Sequence, residues 1–103
     1  MAVTIDALLE ALVQMDASDL HLKSGKPPVM RIRGALVRVP EFAMTADEHS
    51  NMLLGILNEE RRERLENFKE VDLSYHLEGI ARFRVNMFWQ RGEIGAVFRV
   101  IPH

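Results

Sequence analysis

The chain has 103 residues, 48 % of them hydrophobic and 27 % charged, with a formal net charge of −2. That is the size and balance of one small globular domain, and it argues against disorder. The absence of cysteine excludes a disulfide framework and a thiolate metal site, and no apolar run approaches the roughly 18 residues of a membrane span.

Hydrophobic spacing predicts a first helix near Thr4–Met15, with Ile5, Leu8, Leu9, Leu12 and Val13 on one face and Thr4 as its N-cap. Asp16-Ala17-Ser18-Asp19 ends it, and a short strand runs from Leu20 to Lys23 with His21 facing away from Leu20 and Leu22. After the turn Ser24–Pro28, two strands, Val29–Arg33 and Ala35–Val39, flank Gly34, and Pro40 stops the pattern. Thr45-Ala46-Asp47-Glu48 fits a capping box and opens a second helix, whose expected buried stripe is Met52, Leu53, Ile56 and Leu57. Asn58 caps a third, mostly charged helix, Glu59–Lys69, anchored by Leu65 and Phe68. The rest is strand. Val71, Leu73, Tyr75 and Leu77 alternate with polar residues, Gly79 turns the chain, and Ile80–Gln90 and Ile94–Ile101 form a hairpin around Arg91-Gly92. Helix, three strands, two helices and three strands make an α+β domain with helices on one face of an antiparallel sheet.

The small net charge hides an uneven distribution. Residues 1–19, 21–40, 41–78 and 79–103 carry −4, +5, −6 and +3. The basic stretches read either as solvated strand faces or as an anion site drawn from two strands. The hairpin makes the second reading specific. With Arg91-Gly92 as a two-residue loop, paired residues have numbers summing to 183, and Arg84 stands opposite Arg99. Like charges in that position cost on the order of 0.2–1 kcal/mol. A bridging phosphate removes the repulsion and adds bidentate, charge-assisted hydrogen bonds. The alternative is that each arginine pairs with a carboxylate such as Asp72 or Glu78.

Other chemistry is missing from the sequence. Gly25-Lys26 runs into Pro27 and lacks an upstream glycine, so there is no phosphate-binding P-loop. His21, His49, His76 and His103 fall at no metal-ligand spacing and are expected on the surface or hydrogen-bonded. Ser18, Ser50 and Ser74 belong to no nucleophile system. Asp19 and His21 share a strand face, which suits a structural hydrogen-bonding role. Nucleic-acid binding is disfavoured, because the net charge is negative and Phe83 and Trp89 lie on the face opposite Arg84.

The strings Ala17-Ser18-Asp19-Leu20-His21-Leu22, Gly25-x-Pro27-Pro28-x-x-Arg31-x-x-Gly34, Asp72-x-Ser74-Tyr75, Gly79-x-Ala81-Arg82-Phe83-Arg84-Val85-Asn86 and Val97-Phe98-Arg99-x-Ile101-Pro102 cover nearly the whole chain. Together they resemble the N-terminal domain of type IV pilus retraction, or twitching motility, ATPases of the secretion ATPase superfamily. The resemblance implies a PAS-like antiparallel sheet of about six strands with helices packed on one face. Residues 1–103 then form a single N-terminal domain, with the RecA-like ATPase domain and its Walker motifs absent from the chain.

The resemblance further implies a cytoplasmic bacterial homohexameric motor, peripheral to the inner membrane through the pilus machinery, with no membrane insertion and no nucleic acid. ATP with Mg is held mainly by the absent domain, so the domain alone has no catalytic residue and hydrolyses nothing. By motif position, Arg84 and Arg99 correspond to the family's two phosphate-binding arginines. Two positions depart from the pattern. Arg33 stands where an acid often precedes the glycine, and Trp89-Gln90-Arg91 leans toward the accessory subtype of retraction ATPase. The competing readings are a stand-alone PAS-like sensor, which needs a polar internal pocket, and a protein-interaction module using the basic strands.

Overall fold

The structure, a computed structural model, describes residues 3–102. Helix α1 (Ile5–Gln14) leads into β1 (Ala17–Lys23), β2 (Val29–Ile32) and β3 (Ala35–Arg38). A single 3-10 turn (Pro40–Phe42) precedes α2 (Ala46–Leu54) and α3 (Glu59–Phe68). Strands β4 (Glu70–Leu77), β5 (Ala81–Gln90) and β6 (Glu93–Ile101) complete one six-stranded sheet of order β3-β2-β1-β6-β5-β4. Each neighbouring pair is antiparallel, as expected for an α+β fold. His103 lies outside the described residues.

The capping signals act as the sequence predicts. The Thr4 hydroxyl accepts from the Ala7 N–H, and the Asn58 side chain accepts from the Arg61 N–H. Thr45 and Glu48 close a reciprocal capping box at α2. Its backbone and side-chain hydrogen bonds to Thr45 hold the Glu48 carboxyl below the usual carboxylate range.

The core lies between the helices and one face of the sheet. Leu8, Leu9 and Leu12 of α1, Leu53 of α2 and Leu65 of α3 are buried with Leu20, Leu22, Met30, Phe83, Val85, Met87, Ala96 and Phe98. These strand positions share a face because side chains alternate along each strand. Their partners in the alternation, Asp19, His21, Arg31, Arg84, Asn86 and Arg99, make up the opposite, open face.

Three details correct the expectations. Strand β1 starts at Ala17 rather than Leu20, because an irregularity between Ala17 and Asp19 lets the strand pair with β2 that early. Phe68 does not anchor α3: it is 70 % exposed, with the Arg64 guanidinium 5.6 Å from its ring centre. Helix α3 ends there because Lys69 takes a left-handed conformation (φ 64°), and Leu65 alone of the two reaches the core. Helix α2 stops at Leu54, so Ile56 and Leu57 follow the helix instead of extending its stripe.

Two polar contacts tie the helices to the sheet. His49 is 2 % exposed, and its Nε2 donates to the Ile94 carbonyl at 2.8 Å. Ile94 sits one residue beyond the last β1–β6 pairing, Lys23 with Gly95, so α2 is fastened where the neighbouring strand has ended. On the same face, at the β4 edge of the sheet, the Tyr75 hydroxyl donates to Asp6 of α1. Burial, reinforced by the hydrogen bond and charge of Asp6, pushes the Tyr75 phenol up to about 12.

Both contacts are testable. His49→Leu leaves the Ile94 carbonyl without its donor, and urea denaturation should show a loss of about 1–3 kcal/mol; an unchanged midpoint contradicts the role. The folded Tyr75 pKa lies above the reference value of 10.0. The unfolded chain therefore loses this proton first, and the stability it contributes is complete below pH 10 and lost as pH rises toward 12. The stability difference between wild type and Tyr75→Phe should shrink over that interval. A difference that stays constant contradicts the assignment.

Candidate functional site

The open face carries the chemistry, and the β5–β6 register organises it. Arg91 and Gly92 both take left-handed backbone conformations (φ 54° and 76°), which a two-residue hairpin loop of this twist requires. Pairing then runs Gln90 with Glu93, Phe88 with Gly95, Asn86 with Val97, and Arg84 with Arg99. The opposition expected from the sequence is present. Directly paired antiparallel residues have Cα atoms about 4.5–5.5 Å apart, so one polyanionic group can reach both guanidiniums.

The pair belongs to a longer row. Arg31 pairs with Asp19, Asp19 with Arg99, Arg99 with Arg84, and Arg84 with Ser74. Three arginines and one aspartate thus line up across four strands. The Asp19 Oδ2 lies 3.8 Å from the Arg99 Nε, 3.8 Å from the Arg31 Nε and 3.7 Å from the His21 Nε2. Arg31 is further held by donating from Nη1 to the Gly34 carbonyl at 3.0 Å. The sequence placed Asp19 beside His21 but missed both arginines. The partner strands join Asp19 from positions 12 and 80 residues away, and the only available signal was that hydrogen-bonding strands bring open-face residues into rows.

Neither Asp72 nor Glu78, the carboxylates expected to neutralise the arginine pair, forms an ion pair with it among the described residues. Asp72 instead accepts from the Asn86 amide at 3.0 Å, which also donates to Glu70 at 2.8 Å. Arg99 finds Asp19 instead, at ion-pair distance, and Arg84 has no ion pair among the described residues. Both arginines are exposed, and with Asp72, Asn86 and Val97 they line a depression of about 310 Å³. The site therefore presents two guanidiniums, one of them free, to an anion arriving from solvent.

A second depression, about 340 Å³, lies at the hairpin end between Lys23, Lys26 and Arg91. Phe88 borders it and covers Gly95 so closely that a Cβ there would meet the ring at 2.5 Å. Neither hollow lies between helices and sheet, where a sensor's ligand would be enclosed. Among the described residues, no three His, Asp or Glu side chains converge so as to hold a metal, and no helix is long and apolar enough to cross a membrane.

No family model matches the chain. Individual proteins do. The chain is 40 % identical over 98 residues to the type IV pilus retraction ATPase PilT of Pseudomonas aeruginosa, which covers 95 % of this chain and 28 % of that protein. It is 32 % identical over 96 residues to the type IV pilus ATPase PilU of the same organism, covering 93 % of this chain and 25 % of that one. The higher identity to PilT runs against the lean of Trp89-Gln90-Arg91 toward the accessory subtype. The crystal structure of the pilus retraction motor PilT with bound ADP superimposes with a TM-score of 0.89 at 33 % identity, over 97 % of this chain and 29 % of that one. The chain thus spans under a third of the length of these relatives. Through all six strands and three helices, it is homologous to the N-terminal part of the type IV pilus retraction and twitching motility ATPases.

Proposed function

We propose that the chain is the regulatory and coupling N-terminal domain of a hexameric, ATP-driven pilus retraction motor. It supplies Arg84 and Arg99 to the phosphates of a nucleotide held mainly by a RecA-like domain. The observation that carries this reading is the cross-strand opposition of the two arginines on an exposed sheet face. A folded chain gains nothing structural from two directly opposed guanidiniums. Phosphate oxygens match their planar, forked donors bidentately, and one phosphate group carries enough charge and oxygens to serve two guanidiniums.

The residues present fit phosphates but not a whole nucleotide. No glycine-rich loop cradles a triphosphate here, and the depression beside the arginines is open to solvent. ATP and Mg would accordingly be bound mainly by the second domain. The guanidiniums act as positioned cations that stabilise charge developing on the phosphates, with no role as acid or base. Rigid-body closure of the two domains would bring them into place. The same arrangement gives neighbouring subunits of a homohexamer a shared site, at the cytoplasmic face of the pilus machinery. The 40 % identity to PilT supports this reading, since that protein is a retraction ATPase.

The test is ATP turnover by the full-length motor. Arg84→Ala with Arg99→Ala should lower it at least about tenfold, since positioned charge is a large share of phosphoryl-transfer catalysis. Near-normal turnover by the double variant contradicts the phosphate role. Normal turnover with lost ring assembly would favour an interaction module instead.

A further inference from the structure

The proposed anion site contains its own competitor. We propose that Asp19 is a resident carboxylate that occupies Arg99 while no anion is bound, and so sets how tightly the arginine pair takes phosphate groups. This inference rests on the phosphate reading of Arg84 and Arg99.

Four observations converge on Asp19. It is the one acid in the cross-strand row, next to Arg99 on the side away from Arg84. Its side chain is 16 % exposed, against 68 % for Arg99, so the carboxylate is fixed while the guanidinium has room to swing. The contact between them is an ion pair at 3.8 Å with no hydrogen bond, which an arriving anion can break at small cost. Finally, Asp19 is not stranded when Arg99 leaves. Arg31 stays beside it at 3.8 Å, anchored to the Gly34 carbonyl, and His21 faces it at 3.7 Å.

An anion held between Arg84 and Arg99 lies about half a strand spacing farther from Asp19 than Arg99 itself, roughly 7 Å from the carboxylate. That is within the Debye length of about 8 Å to 10 Å at ordinary ionic strength, so the carboxylate also repels the anion directly. Asp19 thus opposes phosphate binding twice, by holding Arg99 and by its own field. The arginine pair is kept weak until a second source of binding, such as the second domain, is added.

The experiment is a titration of the 103-residue chain with pyrophosphate at fixed ionic strength, read from the backbone amide NMR shifts of Arg84 and Arg99. Asp19→Asn keeps the shape and removes the charge, and should tighten the dissociation constant about two- to fivefold, the range that exposed ion pairs convert to. Most of that gain should vanish when Arg99→Gln is added. Unchanged or weaker binding by Asp19→Asn overturns the proposal, as does a gain that survives the loss of Arg99 undiminished. Arg84→Gln separates the two levels. If it titrates like the wild type, or if no variant responds, the phosphate reading fails and this proposal with it. If Arg84→Gln loses the response while Asp19→Asn matches the wild type, this proposal alone fails.

Discussion

The register of the last hairpin governs both faces of the sheet. Arg91 and Gly92 turn the chain in two residues with both φ angles positive, so residue numbers summing to 183 face each other along β5 and β6. Phe83, Val85 and Met87 then point to the helices, together with Ala96 and Phe98. A slip of one residue would send Arg82, Arg84 and Asn86 inward and expose the aromatic core. Burying an unpaired guanidinium costs several kcal/mol, whereas two opposed arginines on an open face cost on the order of 0.2–1 kcal/mol. Core burial therefore decides the register, and the arginine opposition is tolerated as its consequence.

What prevents neutralisation of that opposition is the distribution of neighbouring acids. Asp72 of β4 lines the same depression as Arg84, yet it accepts from the Asn86 amide, as Glu70 does, and pairs with neither arginine. Asp19 reaches the row from the other side and pairs with Arg99 and Arg31. The open face thus grades from an acidic edge at β4, through a free Arg84, to a partly compensated Arg99. Helices take no part in this face. They are fastened on the opposite side by apolar packing, by His49 on the Ile94 carbonyl and by Tyr75 on Asp6. The site is consequently carried by the interior strands of the sheet, where β1, β6 and β5 lie side by side.

Local signals in the sequence were read correctly wherever the physics is local. Thr4, Thr45 and Asn58 cap helices because their side-chain oxygens meet N–H groups three residues on. The alternation in β4 and β5 places each residue on its observed face, and hairpin arithmetic places Arg84 opposite Arg99. Non-local features were hidden. Asp19 acquires Arg99 through a strand 80 positions later, and no periodicity in either segment reports that pairing. Phe68 has the helical spacing of an anchor relative to Leu65, but the left-handed Lys69 turns the chain into β4 and leaves the ring outside. Arg33 is a similar case: Gly34 signalled the turn, while the residue before it also takes a positive φ of 50°, which its side chain did not suggest. The family resemblance was legible because it rests on short strings, and the PilT match covers those strings.

The central claim is that the Arg84–Arg99 opposition is a structural liability kept for an anion. The stability of Arg84→Gln in chloride buffer, free of phosphate, measures that liability directly. If the account holds, the variant unfolds at a higher urea concentration than the wild type, by about 0.2–1 kcal/mol of relieved repulsion. A variant equal to or less stable than the wild type would mean that Arg84 contributes to the fold, and that the pair needs no anion to explain it.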